Sequence, residues 1–209
     1  MKLQGLKLNC LGDSITQGAG AYPAENCFVS LLRSRYGIDA RNYGIGGARI
    51  APQHKKRAGC LYDYVDYCTR VPDMAGDADL IFVFGGTNDY GHGDAPLGKT
   101  DDTDDTTFCG ACRVMFDRLS QCYPGVPVMV LLPLQRTRGE GANQKSDGKA
   151  YCLEQYVDAL RTIAAEKGCA IMDLYTNDPH LPLCDGLHPD NEGHSLLADL
   201  IADFVAHLD

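Results

Sequence analysis

The 209-residue chain is short of positive charge: its formal net charge is −9, and its one cluster of Lys and Arg is Lys55-Lys56-Arg57. Nucleic acids and anionic membrane surfaces both call for a basic face, so neither is an expected partner. The short basic run reads as a solvated loop. Long apolar runs are also missing, and no segment approaches the ~20 residues needed to cross a bilayer. The residues ahead of Ser14 lack a charged leader, an apolar h-region and a cleavage site, and they are needed as a first strand. The expected location is therefore cytoplasmic. No composition shift or flexible linker divides the chain, and its length supports one domain, residues 1–209, with a sizeable core.

Metal and redox chemistry find little support. Ten cysteines are present, but disulfide frameworks belong to small secreted domains, so these read as reduced and mostly as small core residues. Cys109-Gly-Ala-Cys112 has redox or zinc spacing, yet it falls where a helix begins and lacks a second CxxC or a His pair. The acidic run Asp101-Asp102-Thr103-Asp104-Asp105 lacks the Gly and Glu that an EF-hand loop needs at its sixth and twelfth positions. No metal and no cofactor is expected.

What is present alternates between strand and helix. The apolar run 6–11 reads as a buried first strand. A helical pattern follows over 26–36, open to capping by Asn26 and closed by Gly37, and then a strand over 40–43. Residues 59–71 read as a helix ended by Pro72, and 80–84 as a central parallel strand covered on both faces. Residues 91–107 read as a solvated loop beside the site. A helix over 109–123, a strand over 126–132, a polar and mobile loop over 135–149, a helix over 150–167 and a strand over 170–174 follow. The chain closes with an amphipathic helix over 195–208, for which Asn191 is a candidate N-cap. This alternation predicts a doubly wound parallel sheet with helices on both faces.

Polar, glycine-flanked clusters stand at three strand ends, where open α/β sheets bind ligands. The first is Leu11-Gly12-Asp13-Ser14-Ile15-Thr16-Gln17-Gly18, which presents a serine between two glycines. The second, Gly44-Ile45-Gly46-Gly47, can turn backbone N–H groups toward a developing oxyanion. It lacks the GxGxxG spacing, and no GK[ST] follows it. The third, Gly85-Gly86-Thr87-Asn88-Asp89, offers an uncharged amide donor. Downstream, Asp185 and His188 are three apart with a glycine between. One tight turn can join the carboxylate to Nδ1 and leave Nε2 free to take a proton from a serine. A free hydroxyl is a poor nucleophile, and a base held by a third group is what activates it. His92 and His194 lie near these motifs and read as rim or surface residues.

Gly12-Asp13-Ser14, the Gly47 loop, Gly86-Thr87-Asn88-Asp89 and Asp185-Gly186-Leu187-His188-Pro189 stand in the order seen in SGNH hydrolases. Together they span most of the chain, which thus resembles the GDSL esterase/lipase family. The resemblance implies a three-layer αβα, flavodoxin-like fold around a central five-stranded parallel sheet, and metal-free ester hydrolysis. It implies Ser14 as nucleophile, His188 as general base and Asp185 as the group orienting it. The oxyanion hole would be the Ser14 and Gly47 N–H groups and the Asn88 amide. The substrate is expected to be a small-molecule ester. No lipase-like lid is evident, and a rim carrying Asp94, Asp101, Asp102, Asp104 and Asp105 disfavours anions. Deacetylation of a carbohydrate or small metabolite leads; lysophospholipid or thioester hydrolysis, or a non-catalytic ligand-binding module, are the alternatives.

Overall fold

Strands buried on both faces must be apolar at consecutive positions, as Leu80–Phe84 at the centre of the sheet is, whereas the edge strand Asp39–Gly44 is polar and largely open to solvent. The computed structural model describes residues 1–137, 143 and 150–208. The strands are β1 (Lys7–Gly12), β2 (Asp39–Gly44), β3 (Leu80–Phe84), β4 (Val128–Leu131) and β5 (Ala170–Met172). They pair in parallel in the order β2-β1-β3-β4-β5. The helices are α1 (Ser14–Gln17), α2 (Phe28–Tyr36), α3 (Tyr67–Arg70), α4 (Thr87–His92), α5 (Phe108–Cys122), α6 (Leu153–Glu166) and α7 (Asn191–Ala206).

Successive side chains of a strand point to opposite faces, and the core divides accordingly. Leu80, Phe82 and Phe84 of β3, with Met129 and Leu131 of β4, pack with residues of α2 and α7. Ile81 and Val83, with Val130, pack with residues of α3, α5 and α6. The result is the expected three-layer αβα arrangement.

Several expectations need correction. Asn26 does not cap the second helix, which starts at Phe28 with Cys27 as its N-cap; the Asn26 amide donates to Tyr22 C=O at 3.1 Å. Residues 59–71 do not form one helix but a 3₁₀ turn at Leu61–Tyr64, then α3, then a second 3₁₀ turn at Val71–Asp73 that contains Pro72. Asp66 is extended and caps Thr69 N–H at 2.9 Å, which starts a new turn, while the Asp63 carboxylate is engaged by arginines. The last helix begins at Asn191, capped by Asp190, whose carboxylate accepts from Gly193 N–H at 2.9 Å. Asn191 is instead clipped to the backbone of Tyr22, accepting from its N–H at 2.8 Å and donating to its C=O at 2.7 Å. This earlier start turns His194 inward: it is fully buried, not at the surface. Its Nδ1 accepts from Phe28 N–H at 3.4 Å and its Nε2 donates to Ala19 C=O at 3.1 Å. Burial lowers its pKa.

The cysteines are free; Cys10, Cys27, Cys68, Cys109 and Cys112 are buried, but Cys122 and Cys184 are exposed, so only half are core residues. Burial pushes the Cys109 thiol up to about 11 and also raises that of Cys112 well above its ordinary value. Both pack in α5. The loop expected over 135–149 lies largely outside the described residues.

Candidate active site

The strand order reverses between β1 and β3, the topological switch point at which open α/β sheets form a crevice. Gly12 is level with Gly44 of β2 and Phe84 of β3, so three loops leave the sheet side by side. A Cβ on Gly12 would lie 1.9 Å from Thr16 Oγ1, so glycine is what lets the chain turn at once into α1. Asp13 caps that turn, its carboxylate accepting from Ile15 N–H at 3.0 Å. Burial of this 1%-exposed carboxyl raises it to about 7, against the hydrogen bond, which lowers it. Ser14 is the first residue of the turn, and its Oγ lies 2.9 Å from His188 Nε2, 174 residues away.

The second loop runs past the serine: a Cβ on Gly46 would come within 3.9 Å of Ser14 Cβ. Gly47 has φ +76°, where a side chain is strained, and a Cβ there would press on the Tyr62 ring at 2.8 Å. Among the described residues neither Ser14 N–H nor Gly47 N–H has an acceptor.

The third loop opens α4, and its side chains fasten the second loop in place. Asn88, 6% exposed, donates one amide hydrogen to Ala48 C=O at 3.0 Å. Asp89 takes the N–H groups of Ile50 and Ala51 at 3.0 and 2.9 Å. Desolvation raises the Asp89 carboxyl to about 6, while these two bonds pull the other way. His92 is not a bystander on the rim. Its Nδ1 lies 2.8 Å from Arg49 Nη1 and its Nε2 3.2 Å from Asn88 Oδ1. Arg49 is buried and paired with buried Asp63 at 2.9 Å. The Asp63 carboxyl is held well below its ordinary value, first by the Arg57 guanidinium and also by Arg49.

The fourth element is a tight turn, tied to the segment after β4 by Thr137 N–H donating to Gly186 C=O at 2.9 Å. Asp185 Oδ1 accepts from the N–H groups of Leu187 and His188 at 3.0 and 2.9 Å, and Oδ2 lies 2.8 Å from His188 Nδ1. Burial pushes this carboxyl up, but the backbone N–H and ring of His188, with Leu187 N–H, outweigh it and hold it at about 2. An ionised carboxylate can only accept, so Nδ1 carries the ring proton and Nε2 presents its lone pair to Ser14. An isolated bridge between Leu183 and Pro189 closes the turn.

All five sequence-derived site residues thus fall on adjoining elements at one end of the sheet. Sequence reasoning gives Arg49 and Asp89 no part in the site and leaves His92 on its rim. His92 stands four residues after Asn88 on a helix, a spacing that puts two side chains on one face; Arg49 carries no comparable signal. One further motif dissolves on inspection. Gly93-Asp94-Ala95-Pro96-Leu97-Gly98-Lys99-Thr100 has the spacing of a phosphate loop, but it follows a helix, not a strand, and buries Ala95 and Leu97. The carboxylates of this region brace loops: Asp94 accepts from His54 and Lys55 N–H, Asp102 from Lys99 N–H and Thr107 Oγ1. Among the described residues no group of His, Cys, Asp and Glu is arranged to hold a metal ion, and no helix is long and apolar enough to cross a membrane.

Residues 10–196 match the model of the GDSL-like lipase/acylhydrolase family. Among curated proteins no sequence match is found. Solved structures similar to this chain include a protein from Lactobacillus plantarum, 27% identical with a TM-score of 0.75 over 99% of both chains. A carbohydrate acetylesterase from Sinorhizobium meliloti is 20% identical with a TM-score of 0.72, over 98% of this chain and 100% of its own. A member of the lipolytic G-D-S-L family from Veillonella parvula is 21% identical with a TM-score of 0.64, over 98% of this chain and 100% of its own. At such identities the last two speak to the fold alone.

Proposed function

The chain belongs to the GDSL-like lipase/acylhydrolase family, and from that premise we propose that it is a serine esterase acting on small acyl esters through an acyl-enzyme on Ser14. The observation that carries this reading is the unbroken line of contacts Ser14 Oγ to His188 Nε2 to Asp185, at 2.9 and 2.8 Å. Ser14 Oγ attacks the ester carbonyl carbon while its proton passes to His188 Nε2, and ionised Asp185 stabilises the imidazolium that forms. The carbonyl oxygen becomes an oxyanion facing the Ser14 and Gly47 N–H groups and the second amide hydrogen of Asn88. His188 then returns the proton to the departing alkoxide, and a water molecule repeats the sequence to release the acid. The base is an imidazole, so no metal is called for.

A short acyl group is favoured because the sequence carries no long apolar lid or exposed amphipathic segment of the kind a lipase uses at an oil interface. Deacetylation of a carbohydrate or related small metabolite is the leading substrate class, and the similarity in fold to a carbohydrate acetylesterase agrees with it. The acidic residues keep their charge in the fold: hydrogen bonds from Lys99 N–H and Thr107, and from Thr106, hold the Asp102 and Asp104 carboxyls below their ordinary value, which agrees with a neutral or cationic substrate. Hydrolysis of p-nitrophenyl acetate, butyrate and octanoate, with Ser14→Ala in parallel, tests the proposal. Turnover that falls steeply with chain length and vanishes in the variant supports it, and equal turnover by both proteins refutes it.

A further inference from the structure

We propose that His92 is a positioning residue that fixes the Asn88 amide in its donating orientation, with Arg49 setting the proton on the imidazole. The inference rests on the esterase reading and goes one layer behind it.

A guanidinium has five N–H donors and no acceptor. The 2.8 Å contact from Arg49 Nη1 therefore requires a lone pair on His92 Nδ1, which puts the ring proton on Nε2. Nε2–H donates to Asn88 across 3.2 Å, and a donor selects the amide oxygen. Independently, Ala48 C=O can only accept, so the group 3.0 Å from it must be the Asn88 nitrogen. The two ends of the amide are thus specified by different partners, and they agree. A flipped amide would set oxygen against carbonyl oxygen and N–H against N–H. With the oxygen held by His92 and one hydrogen by Ala48, the remaining amide hydrogen has a single direction left.

The outer end of the relay is rigid as well. Arg49 is 2% exposed, donates to Tyr62 C=O at 3.2 Å and pairs with Asp63, which is itself gripped from the other side by Arg57 at 3.0 Å. The Tyr62 ring meets the His92 ring edge-on at 5.4 Å. Preorganised donors stabilise an oxyanion without reorienting during the reaction, and that is what the relay supplies.

A double-mutant cycle on kcat and KM for p-nitrophenyl acetate tests the relay. Asn88→Ala alone should lower kcat by about 100- to 1000-fold. His92→Ala is expected to lower kcat by about tenfold with KM within twofold, to cost nothing further in the Asn88→Ala background, and to be partly rescued by His92→Gln, whose amide N–H can still donate. A wild-type kcat in His92→Ala, or the same tenfold loss with Asn88 already gone, overturns the inference while leaving the esterase reading intact. If the wild-type protein shows no hydrolysis that depends on Ser14, the esterase reading fails instead. The side-chain ¹⁵N–¹H resonances of Asn88 then still decide the relay: they should move in His92→Ala, and unchanged resonances would refute it.

Discussion

The two halves of the site are built on opposite plans. Ser14, Gly47 and Asn88 sit on loops that leave three adjacent strands, and what holds them is buried: Asp13, Asn88, Asp89 and Arg49 are all nearly inaccessible. The Asp185–His188 half is a surface turn, with the Asp185 side chain 42% exposed, organised by bonds between residues only three apart. Oxyanion donors must be aimed in advance at a charge that does not yet exist, and this demands a stiff, tertiary frame. An imidazole and its carboxylate need only one another and a short turn.

The contrast has consequences that differ in kind. His188→Ala should have the largest effect on rate, a loss in kcat on the order of 10⁴- to 10⁶-fold. The melting temperature should move by no more than about 2 °C, because nothing else in the fold depends on the ring. Asp89→Ala reverses the balance. It leaves the buried N–H groups of Ile50 and Ala51 without partners, at about 1–3 kcal/mol each, partly offset by relief of the buried carboxyl. A drop in melting temperature of about 5–10 °C is expected. If His188→Ala proved as destabilising as Asp89→Ala, the division between the halves would be false.

The two halves also differ in the sign of a pH effect. The Asp13 carboxyl is raised from its ordinary 3.8 to about 7, so the folded protein binds the extra proton and stability falls as pH rises through that window. Relative to wild type, Asp13→Asn should therefore gain stability from pH 4 to 7, by about 1.4 kcal/mol for each unit of elevation. Asp185 is lowered to about 2, so its contribution is present above pH 4 and is lost as pH falls toward 2. The advantage of wild type over Asp185→Asn should shrink over that lower range, weakly, because the carboxylate is open to solvent and salt. Melting curves against pH for both variants test the opposite signs.

The same division explains what could be read from the chain. The covered central strand 80–84 is a plain apolar run, the glycine-flanked clusters at the strand ends are local, and so is the spacing of Asp185 and His188; the polar edge strand Asp39–Gly44 carries no such run. The frame behind Asn88 was not visible, because it depends on residues 48–51 lying against 88–92, a register that exists only once β1, β2 and β3 are aligned. The burial of His194 is hidden from the sequence for a related reason. Asp190 rather than Asn191 caps α7, which starts the helix early enough to turn that ring into the core. Residues 59–71, rich in Tyr and Val, read as a helix ended by Pro72, but the Asp63 and Asp66 carboxylates engage Arg49, Arg57 and Thr69 and break it into turns.

The central claim is that Ser14, activated by His188, is the atom that carries the acyl group. It is tested most directly by treating the protein with a p-nitrophenyl phosphate triester and locating the covalent phosphoryl adduct by peptide mass spectrometry. The account predicts one adduct per chain, on Ser14, formed at a rate that collapses in His188→Ala. Full esterase activity with no adduct on Ser14, or labelling that is indifferent to His188, would contradict it.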